Sequence, residues 1–472
     1  MKPKVFWPRK PETFYSASKS LADATASSSS SSLPAQHAIL HSSPAQKKAP
    51  LADLPTKTLL RSLFLTSAMA SPLLKPSIAV LKYVVESKSP LLSPSKNPIM
   101  NYILRATIYN HFCAGVNETE VRKTVQDMKN LGFKGVILGY ARESVAKIDA
   151  AGGSHVEEWK DAQAMEDRAV DEWKEGNLRT LRMVGKGDYM NIKFTGAGPA
   201  AVEALARGDL VPPPRIKQAI TEICEATAAQ GSRFWIDAEQ QIFQPAIDAW
   251  TIELMRQFNR DGRVVVINTV QAYLKSSAEN IHRHLTLAGK EGWALGIKLV
   301  RGAYIQHDIR ERIHDTKADT DRNYNHIVES LLSRQSPFQE LQDTKFPDAR
   351  LFVATHNAES ARRAYSISRH RILNGLPTIP LEMGQLQGMA DEVSCGLLAE
   401  YRPESDEPLS GKSPVEASVF PKVFKCLAWG TTEECLHFLL RRAVENQGAV
   451  VRTQDTAAAM RREAWRRIGL RR

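Results

Sequence analysis

Lys193 sits in the run NIKFTG, Asp237 and Glu239 in WIDAEQ, Gln271 in VQAYLK, and Lys298, Arg301 and Tyr304 in IKLVRGAY. Thr355, His356 and Asn357 follow in ATHN, and Gln385 and Gln387 in GQLQGM. All lie at the ends of otherwise apolar runs. Burying so many polar groups without partners is very costly, so they must satisfy one another or a ligand. Singly, each has a plainer reading. Asp237 with Lys193 fits a buried ion pair, His356 a core histidine bonded to a carbonyl, and Gln271 a strand cap. Together, at the same end of successive runs, they read as a site.

A second cluster lies toward the C-terminus. TTEECLHFLLRRAVENQG opens with Thr431 and Glu434 at capping-box spacing and runs to Gly448, a helix stop. Leu436, Leu439, Leu440, Ala443 and Val444 form one apolar stripe. Arg441 and Arg442 are adjacent, and guanidinium groups pair with carboxylates in bidentate fashion, so the two suit a clamp on a small anion. A solvated turn with an ordinary i,i+4 pair between Arg441 and Glu445 accounts for this helix equally well.

The elements that must position these residues follow a rhythm. Helix-like stretches alternate with eight short apolar runs: FKGVILGYA, YMNIKFTGAG, SRFWIDAE, RVVVINTVQAY, WALGIKLVRGAY, RLFVATHN, PLEMGQLQGM and VFKCLAWG. Such runs suit strands buried on both faces of a parallel sheet. Eight alternations without a Gly-rich dinucleotide fingerprint favour a closed (β/α)8 barrel, an α/β fold, over a doubly wound sheet. In that barrel the C-terminal ends of the strands build the active site, which is where the polar residues fall. No helix is evident before VFKCLAWG, and a long polar loop is expected there.

Residues 126–472 are assigned to the barrel. Residues 51–125 read as an N-terminal helical extension, with LPTKTLLRSLFL and SIAVLKYVVESK carrying apolar residues at three-and-four spacing. Residues 1–50 hold a serine tract, several prolines and basic pieces, and cannot bury enough surface to fold. Basic, Ser-rich and poor in acids, they suit a mitochondrial transit region.

At 43% hydrophobic and 24% charged, the 472 residues can build a sizeable core. The net charge of +11 is spread out, and its densest patch, RREAWRRIGLRR, reads as a solvated helix face rather than a nucleic-acid site. Five cysteines without a CxxC pair match no zinc pattern, so no metal is expected. The stretch Leu59–Val84 comes nearest to a membrane span, but Arg61, Lys75 and Lys82 interrupt it. It would lie on a bilayer rather than cross it.

In this order, IDAE, VQAYLK, IKLVRGAY, ATHN, GQLQGM and LLRRAVEN resemble the proline dehydrogenase family, from about Leu51 to the C-terminus. Length and tail resemble its mitochondrial eukaryotic, fungal-type members. The resemblance implies a distorted TIM-like barrel that binds FAD non-covalently and oxidises L-proline to Δ1-pyrroline-5-carboxylate. It further implies electrons passed to a membrane quinone, at the matrix side of the inner mitochondrial membrane. Lys193, Arg441 and Arg442 are then expected on the substrate carboxylate, with Asp237 orienting Lys193 and Arg442. Tyr304 and Leu386 are expected to wall the ring pocket. Gln271, Lys298, Arg301, Gly302, Ala303, Thr355, His356 and Asn357 match flavin contacts, and Ala238, Gln385 and Glu445 match further ones. Lys298 would keep a cation near flavin N5, so Asp237 and Lys298 are the residues expected to bear on catalysis. Where many members carry a tyrosine against the ring, this chain has Cys426, which leaves room for hydroxyproline. A flavin-free lyase forming a Schiff base on Lys193 or Lys298 is a further alternative.

Overall fold

All eight apolar runs are strands: β1 Gly135–Tyr140, β2 Tyr189–Ile192, β3 Arg233–Ile236, β4 Val266–Gln271, β5 Leu295–Val300, β6 Ala349–Ala354, β7 Leu381–Leu386 and β8 Val423–Trp429. They pair in parallel in chain order and close β8 against β1. The computed structural model describes residues 49–70, 74–87, 89–141, 162–305, 308–400, 418–445 and 450–469. The expected transit region lies outside the described residues.

Side chains alternate across each strand. One set points outward, beneath the helices, where Ile220, Trp250, Leu285 and Leu331 are fully buried. The other set fills the barrel, with Tyr189, Trp235, Ile267, Phe352 and Phe424 in one cluster. The Trp235 and Phe352 rings lie 5.0 Å apart and the Tyr189 and Phe424 rings 5.2 Å apart, in tilted and edge-on contacts that favour aromatic pairs. At the N-terminal end of the strands, Glu382 accepts hydrogen bonds from Arg350, at 2.9 Å, and from the Tyr189 hydroxyl. The barrel is therefore plugged from below, and inward-facing polar groups at the other end must find partners there.

The N-terminal extension is helical, as expected, over Thr56–Met69, Leu74–Glu86 and Pro98–Leu104, the last running on through a π turn. Among the described residues no helix is long and apolar enough to cross a membrane. The helix Val450–Arg467 packs against Thr56–Met69, with Met460 buried against Leu51, Leu54 and Leu59.

Two expectations fail. The basic C-terminal patch is only partly a solvated face. Arg467 is largely buried and donates to the carbonyls of Leu51, Ala52 and Leu54 and to the Thr56 hydroxyl, while Glu463 beneath it holds Arg466 and Arg467. A guanidinium fork matches the several carbonyls exposed where a chain enters a helix. The second failure is a helix, Asp391–Glu400, inside the stretch read as loop. Its sequence DEVSCGLLAE has a weak apolar stripe and an internal glycine. Asp391 docks it by a buried ion pair to the outward-facing Lys425 of β8, at 2.6 Å.

Candidate active site

β3 ends in the apolar pair Trp235–Ile236 and then turns polar. Asp237 lies two residues beyond Trp235, and two residues is one strand repeat. The register pairs Asn191 of β2 with Trp235, and Thr269 of β4 with Lys298 of β5. The Lys298 ammonium reaches across to Asp237 at 2.6 Å and lies 4.2 Å from the centre of the Trp235 ring, a cation–π contact. Asn191 Nδ2 donates to the second carboxylate oxygen of Asp237 at 3.1 Å. With side chains 12% and 16% exposed, the Lys298–Asp237 pair is much less screened than a surface ion pair.

The two acids of IDAE differ. Burial pushes the Asp237 carboxyl up, but Lys298, Lys193 and the bonds from Lys298 and Asn191 outweigh it, and the group titrates below the ordinary carboxylate range. Burial also pushes up the Glu239 carboxyl. There it prevails over Lys193 and over the bonds from the amide and hydroxyl of Thr195, so Glu239 titrates above the ordinary range. Lys193 therefore stands close enough to act on both acids.

The ends of β4, β5, β6 and β7 are cross-linked. Gln271 Nε2 donates to the Glu239 carbonyl at 3.3 Å, and its Oε1 accepts from the Ala303 amide at 3.2 Å. Arg301 donates to Asp321, Thr355 and Ser360 at 2.7, 2.8 and 2.9 Å and stacks on Tyr324 at 4.3 Å. The Leu386 amide donates to Nε2 of His356, which fixes that nitrogen as an acceptor. Asn357 caps the helix Ala358–Leu373 through the Ser360 amide. Gln385 donates to the Thr355 carbonyl, while its buried Oε1 has no partner among the described residues. Gly302 has φ +152, and a Cβ there would lie 2.5 Å from the Tyr273 ring, so no larger residue fits. Ala238 is buried beside Asp237.

A cavity of about 450 Å³ adjoins the cluster over the ends of β1, β2, β7 and β8. Lys193, Leu386 and Cys426 line it, as do Phe64 and Leu81 of the first two helices and Leu439 of Thr432–Glu445. Tyr304, expected with Leu386 to wall the ring pocket, is half-buried just beyond β5. Cys426 is half-buried and registers with Leu386 of β7 and Ile137 of β1.

Arg441, Arg442 and Glu445 lie on the helix Thr432–Glu445, which begins with the expected reciprocal bonds between Thr431 and Glu434. Their side chains, and the expected stop at Gly448, are outside the described residues. Sequence reading missed Asn191, which shares a strand face with Lys193, and also Asp321 and Ser360, which hold Arg301. The period of two was a usable signal for Asn191. Nothing in the sequence marks Asp321 or Ser360, which come from helices.

A closed parallel barrel, with charged groups and a cavity at the C-terminal end of its strands, defines a (β/α)8 protein of the enzyme type. Residues 121–455 match the model of the proline dehydrogenase family. The chain belongs to that family, which is one of oxidoreductases. It is 26% identical over 420 residues to the probable mitochondrial proline dehydrogenase of Schizosaccharomyces pombe, covering 78% of this chain and 81% of that one. It is 28% identical over 425 residues to the hydroxyproline dehydrogenase of Rattus norvegicus, covering 78% and 83%. Among solved structures, proline utilization A from Bdellovibrio bacteriovorus superposes with a TM-score of 0.57 at 14% identity, which speaks for the fold. That match covers 83% of this chain and 41% of the longer bacterial protein, so the chain spans about two fifths of it.

Proposed function

We propose that this protein oxidises L-proline to Δ1-pyrroline-5-carboxylate with FAD as cofactor and a quinone as final acceptor, in the mitochondrial matrix at the inner membrane. The main support is the Lys298–Asp237 pair, held over Trp235 at the mouth of the barrel beside a cavity that Lys193 enters. The membership of the family is the second support.

The donors fit the flavin. Gln271, Arg301, the exposed Gly302–Ala303 backbone and the Asn357-capped helix start offer groups suited to ring carbonyls and phosphates, and Gln385 Oε1 offers an acceptor with no partner among the described residues. Thr355, His356, Asn357, Ala238 and Glu445 complete the proposed cradle. When bound, FAD supplies the two-electron acceptor. Lys193, Arg441 and Arg442 take the substrate carboxylate, which fixes the ring in place and removes the entropy of a free encounter. Asp237, held ionised, keeps the Lys298 ammonium in one position, so a cation stands ready where charge develops. Leu386 and Cys426 exclude water from the ring. The clamp has a direct test: Arg442→Met raises KM for proline about tenfold or more while FAD stays bound. Loss of flavin with an unchanged KM places the helix elsewhere.

Hydroxyproline is the second reading, favoured by the small Cys426 side chain on the cavity wall and by the similarity to a hydroxyproline dehydrogenase. Comparison of kcat/KM for the two substrates decides between them. Cys426→Tyr shifts the ratio toward proline by about tenfold, within what one pocket contact provides. An unchanged ratio removes Cys426 as the determinant.

A further inference from the structure

The cavity is larger and more apolar than an amino acid requires. Its inner wall carries Asn191 and Lys193, next to the Lys298–Asp237 pair. Its outer part is lined mainly by Leu65, Ala68, Met69, Ile78, Leu81 and Phe112, with Ser77 and Thr107 the polar exceptions and no charged group among them. A zwitterion gains nothing from such a wall, because its charges would be left there without partners. A hydrocarbon chain gains about fourfold in affinity for every methylene it buries. The volume, about 450 Å³, falls in the range of pockets that take small-molecule ligands.

The exposed faces of the same helices point the same way. Phe64 both lines the cavity and is 67% exposed, and Leu60, Val80 and Tyr83 of the same two helices are exposed by 55%, 63% and 69%. Large apolar side chains gathered on a surface mark a site that meets an apolar partner or phase. Exposed on the helices that wall the cavity, they suit a ligand that arrives dissolved in lipid.

We infer that the outer compartment binds the alkyl or isoprenoid tail of a lipophilic quinone, with the quinone ring toward the Lys193 and Leu386 end. The inference rests on the oxidation proposed above, which releases two electrons and two protons from the amine. The same two electrons and two protons convert the quinone to its hydroquinone, so the reaction balances with no other reactant. The two N-terminal helices are thus part of the acceptor site, and the cavity they roof serves two substrates of opposite polarity.

The test is equilibrium binding of decylubiquinone, and of the same ring without its chain, to the full FAD-loaded protein by calorimetry. The decyl compound binds about tenfold or more tightly than the chainless ring. Ala68→Phe, which fills the outer compartment, weakens decylubiquinone about tenfold and leaves proline turnover with water-soluble ferricenium unchanged. Leu81→Asn gives the same pattern by making the wall polar, and serves if the larger side chain prevents folding. Equal affinity with and without the chain overturns the inference, as does an unchanged Kd in both variants. So does displacement of decylubiquinone by decanoic acid at equal affinity, which would make this a general acyl site. A protein that binds the decyl compound in this chain-dependent way but never oxidises proline or hydroxyproline refutes the proposed reaction instead.

Discussion

Asp237 and Glu239 stand two residues apart at one strand end, yet their carboxyls shift in opposite directions. Asp237 has Lys298 in direct contact, whereas the hydrogen bonds described for Glu239 come from a hydroxyl and an amide of Thr195, with Lys193 acting on both acids. This contrast makes separate predictions. Asp237→Asn removes the charge that fixes Lys298, and kcat/KM for proline falls about a hundredfold, the usual cost of a misplaced group near the chemistry. Glu239 works on stability. Its folded value lies above its unfolded value of about 4.3, so as pH rises the unfolded chain loses its proton first. The stability it contributes is fully present below about pH 4 and is lost as the pH rises through the raised folded value. Glu239→Gln removes the charge and keeps an acceptor for Thr195. It therefore raises Tm near neutral pH and leaves it unchanged at about pH 4, which thermal melts at the two pH values check. The resemblance placed Asp237 in an ion network with Lys193 and Arg442; Lys193 does pull its carboxyl down, and the Arg442 side chain lies outside the described residues. The further contact, Lys298 from β5, depends on which strands neighbour one another across the barrel, and the linear order does not state that. A lysine already donating to a carboxylate is also a poor Schiff-base amine. Borohydride with a carbonyl substrate should leave Lys298 unmodified, and a trapped adduct there would favour the lyase reading.

The strands were legible because a parallel sheet covered on both faces demands uninterrupted apolar runs, and RVVVINTVQAY or RLFVATHN has few other uses. The helix Asp391–Glu400 was not, because its position is set by a buried ion pair to β8 rather than by its own periodicity. Arg467 was misread for a similar reason. Its partners are the carbonyls of Leu51, Ala52 and Leu54, more than 400 positions earlier. Arg467→Met should therefore loosen both ends of the chain together. It lowers stability by about 1.5–3 kcal/mol, the range for hydrogen bonds to a charged group. Amide exchange in Thr56–Met69 should speed up, while exchange in β3–β5 should not. Equal protection throughout both regions would show that the contact contributes nothing.

Across the whole molecule, the barrel supplies the charged cluster, and the terminal helices supply the roof of the cavity and a brace that joins the two ends of the chain. The barrel was readable from alternation alone. The roof was not, because LPTKTLLRSLFL and SIAVLKYVVESK look as suited to a membrane surface as to a cavity wall. The structure gives them both an exposed face and a lining face. The central claim is that this assembly moves electrons from a cyclic amino acid to a bound flavin. Its most direct test is the visible absorption spectrum of the purified, FAD-loaded protein before and after L-proline is added without oxygen. The flavin band should be present at first and bleach on addition of proline. A protein that takes up no FAD, or a band that neither proline nor hydroxyproline bleaches, would contradict the claim.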